Sequence, residues 1–415
     1  MQSFKQAIAS YLRFERNPGG IDALDGLRGI AILLVLFRHG IRPFYDPDSA
    51  TLSIGGWDLM TPMTNGWMGV DLFFVLSGFL VTHHILRRWG QVFRWGDVSQ
   101  YFTKRVLRIV PAYYAFLFLV VAGRVPLYEV SQDNLPRQTL NHVLFLQDYI
   151  PGNIVVAFWS LGVEEKFYFL IPFLMVPLLR VQSTTTRLRA VGLLIGIPLM
   201  LRILTYHLHG GFTSYAEFFW TLRSPFHLAC DALLIGTFCA MLYHHRQEFP
   251  RLADPRFSQA LFWSGTAWVG YLLCARPLLN SLDWFRATLM FPALALGFGA
   301  ILLSLVLKPG RYARAFRSPV LFFFSKISYS LYLVHMVFID SVFHLASHIP
   351  GFHTLSRGGQ FLVYMPLYAA ISIAAALALH YMVEKPFLLL KDYDRGSATR
   401  RTQAATLGAN ATVGA

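Results

Sequence analysis

Arg28 and His39 stand eleven residues apart in one apolar stretch of the chain. On an α-helix that spacing turns by ~20° and rises by ~16 Å, so the two side chains share a face, three turns apart. A guanidinium grips phosphate through paired hydrogen bonds, and an imidazole moves protons near neutral pH. Such a face can line one passage, with a cation at its mouth and an acid–base group deeper in. Ser328, Tyr332 and His335 follow i, i+4, i+7 spacing and share a face of another helix.

The elements that carry these residues are read from composition. The chain has 415 residues, 55% of them hydrophobic and only 14% charged, with a formal net charge of +14. Soluble domains carry about 25% charged residues. The basic residues lie between apolar runs, which points to membrane topology rather than to nucleic acid. Ten stretches are long enough to cross a bilayer: 23–43, 67–87, 106–124, 158–179, 188–207, 224–244, 257–276, 285–307, 319–346 and 360–384. The expected fold is an all-α integral membrane bundle of about ten transmembrane helices. Lys and Arg concentrate in the N-terminal segment, in alternate loops and in the tail, which places both termini in the cytoplasm. The expected division is a cytoplasmic segment 1–22, a membrane domain 23–387 and a disordered cytoplasmic tail 388–415. The first 26 residues lack the apolar core of a cleavable signal. Cys230, Cys239 and Cys274 have no metal-type spacing and read as small buried hydrophobes. No metal site is expected.

Ionisable residues inside spans cost at least ~2.5–3.5 kcal/mol each at the helix centre. Arg38, His39, Asp71, Glu164, Glu165, Lys166, Arg202, Asp231 and His335 fall in the middle or outer parts of spans, whereas Arg28, Arg105, Arg108 and Lys326 fall near cytoplasmic ends. Each has a plainer reading. Arg28 suits a positive-inside anchor, Asp71 a helix-dipole partner, the Glu164–Glu165 pair an ion pair with Arg202 or Lys166, and Ser328 and Tyr332 interhelical hydrogen bonds. Isolated structural pairs have no reason to share a depth, however, and a polar cavity does. The inner set is wholly basic, which suits a polyphosphate.

In chain order, LDGLRGIAILLVLFRHG (24–40), GVDLFFVLSGFL (69–80), YFTKRVLRIVPAYY (101–114), FWSLGVEEKFYFLIP (158–172), FHLACDALLIGTFCA (226–240), ISYSLYLVHMVF (327–338) and YMVEKPF (381–387) resemble the transmembrane acyltransferase 3 family. The resemblance spans about 22–387 and looks like the form without a fused esterase-like domain. It implies that Arg28 and His39 are the family's arginine–histidine signature, with His39 catalytic. It matches Arg105 and Arg108 to the family's paired arginines and Glu164–Glu165 to its acidic motif. Lys166 stands where glutamine is more usual.

The resemblance further implies an O-acyltransferase of a bacterial inner (plasma) membrane. It would take an acyl group, acetyl first, from cytoplasmic acetyl-CoA or another acyl-CoA. The acceptor would be a hydroxyl of a glycan, a lipo-oligosaccharide or a glycosylated small molecule. No permanently bound cofactor is implied. Arg28, Arg105 and Arg108 would meet the CoA phosphates. His39 would act as base or first take the acyl group, with Glu164, Glu165 or Asp71 orienting the imidazole. Apart from the resemblance, Arg202, Asp231, Ser328, Tyr332 and His335 are expected to contact substrate or the oxyanion, with a cation such as Arg202 suited to the oxyanion. The rival from another class is a proton-coupled exporter, since intramembrane His, Asp and Glu also form proton relays. The inverted repeats and broken helices common in transporters are not evident.

Overall fold

The computed structural model describes residues 11–16, 20–46, 51–55, 57–89, 95–151, 154–275, 278–280 and 282–390. The tail expected from 388 onward falls outside them from 391, and the N-terminal segment falls outside them at 1–10 and 17–19.

The ten longest helices among the described residues are α1 (Asp22–Gly40), α2 (Met68–Trp89), α3 (Trp95–Val121), α4 (Trp159–Arg180), α5 (Thr184–His209), α6 (Asp231–His244), α7 (Pro255–Cys274), α8 (Met290–Leu307), α9 (Pro319–Val334) and α10 (Arg357–Leu379). Each overlaps one of the ten apolar stretches read from the sequence. Strand is confined, among the described residues, to a hairpin pairing Ser53–Ile54 with Trp57–Asp58. Five helical segments among the described residues are long and apolar enough to cross a membrane: Thr61–Trp89, Thr184–His209, Met290–Leu307, Pro319–Ser347 and Arg357–Leu390.

The helix ends depart from the apolar stretches for local reasons. α1 stops at Gly40 rather than running to 43, because Pro43 has no N–H to continue the ladder. α3 starts eleven residues before its apolar stretch, so Arg105 and Arg108 sit well inside a helix. The apolar run 319–346 is broken at His335. α9 ends at Val334, a tight 3₁₀ turn covers His335–Phe338, and a new helix runs over Ile339–Ser347. The imidazole of His335 bonds back to the carbonyls of Tyr332 and Leu331, and Tyr368 donates its hydroxyl to the carbonyl of His335 at 3.1 Å. The backbone groups that the break would leave unpaired in an apolar setting are thereby partly satisfied.

Close helix approach at small residues holds the centre together, as membrane packing favours. α2 and α6 cross through reciprocal glycines. A methyl group at Gly78 would strike the carbonyl of Leu233, and one at Gly236 would strike the carbonyl of Val75. Thr82 and Thr237 bond across the same crossing at 3.0 Å. α1 is held in the same way, with Gly26 against the carbonyl of Phe316, Gly29 against that of Leu321, and Gly69 of α2 against that of Ala31. Buried Asn65 caps α7, donating to the carbonyls of Leu272, Leu273 and Ala275 at 3.0–3.2 Å. α1, α2, α4 and α9 thus gather around one polar interior.

Candidate active site

Two cavities occupy that interior. The first, about 380 Å³, is lined by Arg28 of α1, Ser77 of α2, Lys104, Arg105 and Arg108 of α3, Glu164 of α4 and Ser328 of α9. The second, about 270 Å³, is lined by Arg38 and His39 of α1, by Arg42, Tyr45, Trp67, Tyr215 and Arg223, and by Trp159 of α4. Val70 and Tyr332 belong to both walls. The Arg28–His39 face of α1 therefore lines two compartments rather than one passage.

Tyr332 is the partition. Its hydroxyl donates to the carbonyl of Ala157 at 2.7 Å and accepts from Ser160 Oγ at 2.5 Å. Ala157 lines the second cavity and Ser160 the first. The start of α4 thus locks the ring in place across the junction.

In the first cavity Arg105 lies over the rings of Tyr168 at 4.8 Å and Tyr101 at 5.7 Å. Arg28 is 3.5 Å from Asp25, which also accepts from Ser325 and lies 3.9 Å from Lys326. Glu164 accepts from Ser77 at 2.7 Å. It does not sit beside His39. The sequence placed Glu164 and Glu165 at the depth of His39; the structure puts Glu164 among the cations of the first cavity. α4 starts at the partition with Trp159 and Ser160, and four residues further along a helix is ~6 Å beyond it. Glu165 lines neither cavity.

In the wall of the second cavity His39 meets a second imidazole, that of buried His335, which itself lines neither cavity. His39 Nδ1 lies 2.9 Å from the carbonyl of Val35 and 3.1 Å from His335 Nε2. His335 Nδ1 lies 2.8 Å from the carbonyl of Tyr332. Carbonyls only accept, so both Nδ1 atoms carry a hydrogen, and in the neutral imidazoles both Nε2 atoms are bare. His335 Nε2 then accepts from His39, and His39 Nε2 is left as the basic nitrogen. A proton arriving there would make the His39–His335 bond charge-assisted. The partner expected to be a carboxylate is a second histidine, itself fixed by the backbone.

Asp71 does not orient His39. It pairs with Arg223 at 2.7 Å, both nearly buried, and Arg223 lies over the rings of Phe291 and Trp159. Arg202 and Asp231 line neither cavity. They pair at 3.0 Å with 2% and 3% side-chain exposure, and Arg202 also donates to the carbonyls of Thr288 and Leu228. This pair ties α5 to the start of α6. Lys166 turns away from both cavities and holds the preceding loop through Asp148 at 2.5 Å and the carbonyl of Phe145.

Sequence reasoning missed Arg223, Arg42, Ser77 and Ser160 as lining residues. A buried Asp71 needs a counter-charge, which was a signal for Arg223. Nothing local marked the two serines.

Fold and site define a multi-pass membrane protein, mostly helical, with two polar compartments facing one helix. Residues 21–381 match the family model described as an acyltransferase domain, and the chain belongs to this acyltransferase 3 family. A Staphylococcus aureus protein named as a candidate O-acetyltransferase is 24% identical over 92% of this chain and 59% of its own length. The peptidoglycan O-acetyltransferase OatA of Listeria monocytogenes is 26% identical over 76% of this chain and 49% of its own length. The chain thus spans well under two thirds of the curated relatives it matches. No solved structure gives a significant match.

Proposed function

We propose that the chain is a membrane-bound O-acyltransferase that moves an acyl group, acetyl first, from cytoplasmic acyl-CoA to a hydroxyl of a glycan. The observation that carries this reading is the arrangement on α1: Arg28 faces one cavity, His39 faces the other, and Tyr332 and Val70 are common to both walls. Family membership and the names of the relatives support the class of reaction. The ten helices are taken as ten spans with both termini cytoplasmic, in a bacterial plasma membrane.

In this reading the first cavity takes the donor. Arg28, Arg105 and Arg108 meet phosphate oxygens, and the pantetheine arm points the thioester at Tyr332. Glu164, held by Ser77, balances part of that charge when the donor is absent. The second cavity takes the acceptor. The hydroxyl gives its proton to His39 Nε2 as its oxygen attacks the thioester carbonyl. The new C–O bond forms, the C–S bond breaks, and the departing CoA sulfur takes up the proton. His335 supports the imidazolium between these steps. Reaction requires Tyr332 to leave the junction, so thioester and water do not meet in the resting protein.

The test is purified protein in lipid nanodiscs with acetyl-CoA, following free CoA thiol. In parallel, glycans from cells with and without the protein are compared for an acyl mass shift. Acceptor-dependent thiol release together with the mass shift supports the reading. An intact thioester and unchanged glycans contradict it, and would be the result for an exporter.

A further inference from the structure

The second cavity carries a charge imbalance that acyl transfer to a neutral sugar does not explain. Arg38, Arg42 and Arg223 line it, and among the described residues no aspartate or glutamate does. Arg223 is answered by Asp71 at 2.7 Å. Arg38 and Arg42 have no such answer: neither makes a hydrogen bond or ion pair with another described residue, and Arg38 has only a ring contact with Tyr45 at 6.0 Å. Half-buried Arg38 lies in the last turn of α1 and exposed Arg42 opens the 3₁₀ turn that follows, and both line this one cavity. Like charges so placed repel, and half-buried Arg38 is poorly solvated. An arrangement that costs stability in the empty protein is one that a bound anion would relieve.

We infer that the acceptor presents an anionic group to Arg38 and Arg42, and that the acceptor is an acidic glycan. The inference rests on the reading of the second cavity as the acceptor site. The anion is not the donor's phosphate, because the cations assigned to the donor line the other cavity, across Tyr332. Guanidinium groups suit carboxylate and phosphate alike, since each offers two oxygens to the fork. Tyr45, Tyr215 and Trp159 in the same wall offer faces on which the C–H side of a sugar ring stacks. Arg38 and His39 line the same cavity, so an anion held at Arg38 keeps the rest of the glycan within the compartment that holds the base.

The probe is a short oligogalacturonate, compared with its methyl ester, which has the same rings and no charge. Binding is measured by calorimetry with the protein in nanodiscs of zwitterionic phosphatidylcholine. The acid is expected to bind roughly tenfold or more tightly than the ester, the scale of a charge-assisted bidentate contact. Arg38→Gln combined with Arg42→Gln removes that preference and leaves acetyl-CoA binding intact, which serves as the control for folding. Equal binding of acid and ester, no binding of either, or a preference that survives the double substitution overturns the inference. So does a preference abolished only when the nanodiscs contain anionic lipid, since the cations would then serve headgroups. A protein that prefers the acid but never releases CoA thiol sinks the transferase reading, and with it the word acceptor, and leaves only a site for an acidic glycan at Arg38 and Arg42.

Discussion

His335 Nε2 lies 3.1 Å from His39 Nδ1, and the carbonyl of Tyr332 fixes the tautomer of His335 at its other nitrogen. The partner of the candidate base therefore turns its Nε2 toward His39, where it can accept a hydrogen bond that strengthens when His39 takes a proton. His335→Ala is expected to lower kcat by about 10–100-fold, less than loss of His39 itself, whose general-base help is worth about 10²–10⁴-fold. His335→Gln keeps an acceptor oxygen and should recover part of that loss. Rates of CoA release for the two variants check this. Equal activity of His335→Ala and the wild type would remove the histidine pair from the account.

Tyr332 is held by Ser160 and the carbonyl of Ala157. Tyr332→Ala should open the two cavities to each other and admit water to the thioester. The expected sign is an excess of CoA released over acyl groups transferred, measured as a ratio in one reaction. Tyr332→Phe, which removes the hydroxyl and keeps the ring, should raise that ratio less. A ratio unchanged in Tyr332→Ala means the ring does not separate donor from acceptor.

The cations of the first cavity are expected to act on phosphate. Arg108→Gln and Arg28→Gln should each raise the KM for acetyl-CoA by about tenfold, the scale of one charge-assisted contact. Acetyl-pantetheine lacks the nucleotide phosphates, and its KM should not move. Parallel losses with both donors would assign these residues to structure.

Arg202 and Asp231 form a buried pair away from both cavities. Breaking it with Asp231→Asn leaves an uncompensated guanidinium, a loss of about 3–5 kcal/mol for pairs of this kind. The expected result is a lower thermal midpoint in detergent with the KM for donor unchanged in protein that survives. Arg202→Met with Asp231→Leu should restore much of the midpoint. A large fall in kcat at an unchanged midpoint would return Arg202 to the oxyanion role.

What the sequence showed and what it hid divide along physical lines. The helices were legible because apolar runs of spanning length are a local signal, and the Arg28–His39 face was legible because helical spacing is arithmetic. The meeting of His39 with His335 was not, since 296 residues separate them. Nor was the pairing of Asp71 with Arg223, which is the last residue of a π-helical turn, Phe219–Arg223. That Glu164 lines the first cavity and not the one with His39 was not legible, because the apolar pattern gives a span's extent, not where its first turn meets a partition made by another helix. Tyr332 was read as part of a polar face. Its place between two cavities exists only once α4 has packed against α9.

The most direct measurement is the ester-linked acyl content of surface glycans, by mass spectrometry, in cells making the wild-type protein or His39→Gln at equal membrane level. Glutamine keeps polarity and a hydrogen-bonding donor but cannot take the acceptor's proton. The account predicts that the acyl mass shift present with the wild type is lost with His39→Gln, while the purified variant still binds acetyl-CoA. A His39→Gln protein that acylates glycans within a few-fold of the wild type would contradict the central claim that His39 is the base serving the second cavity.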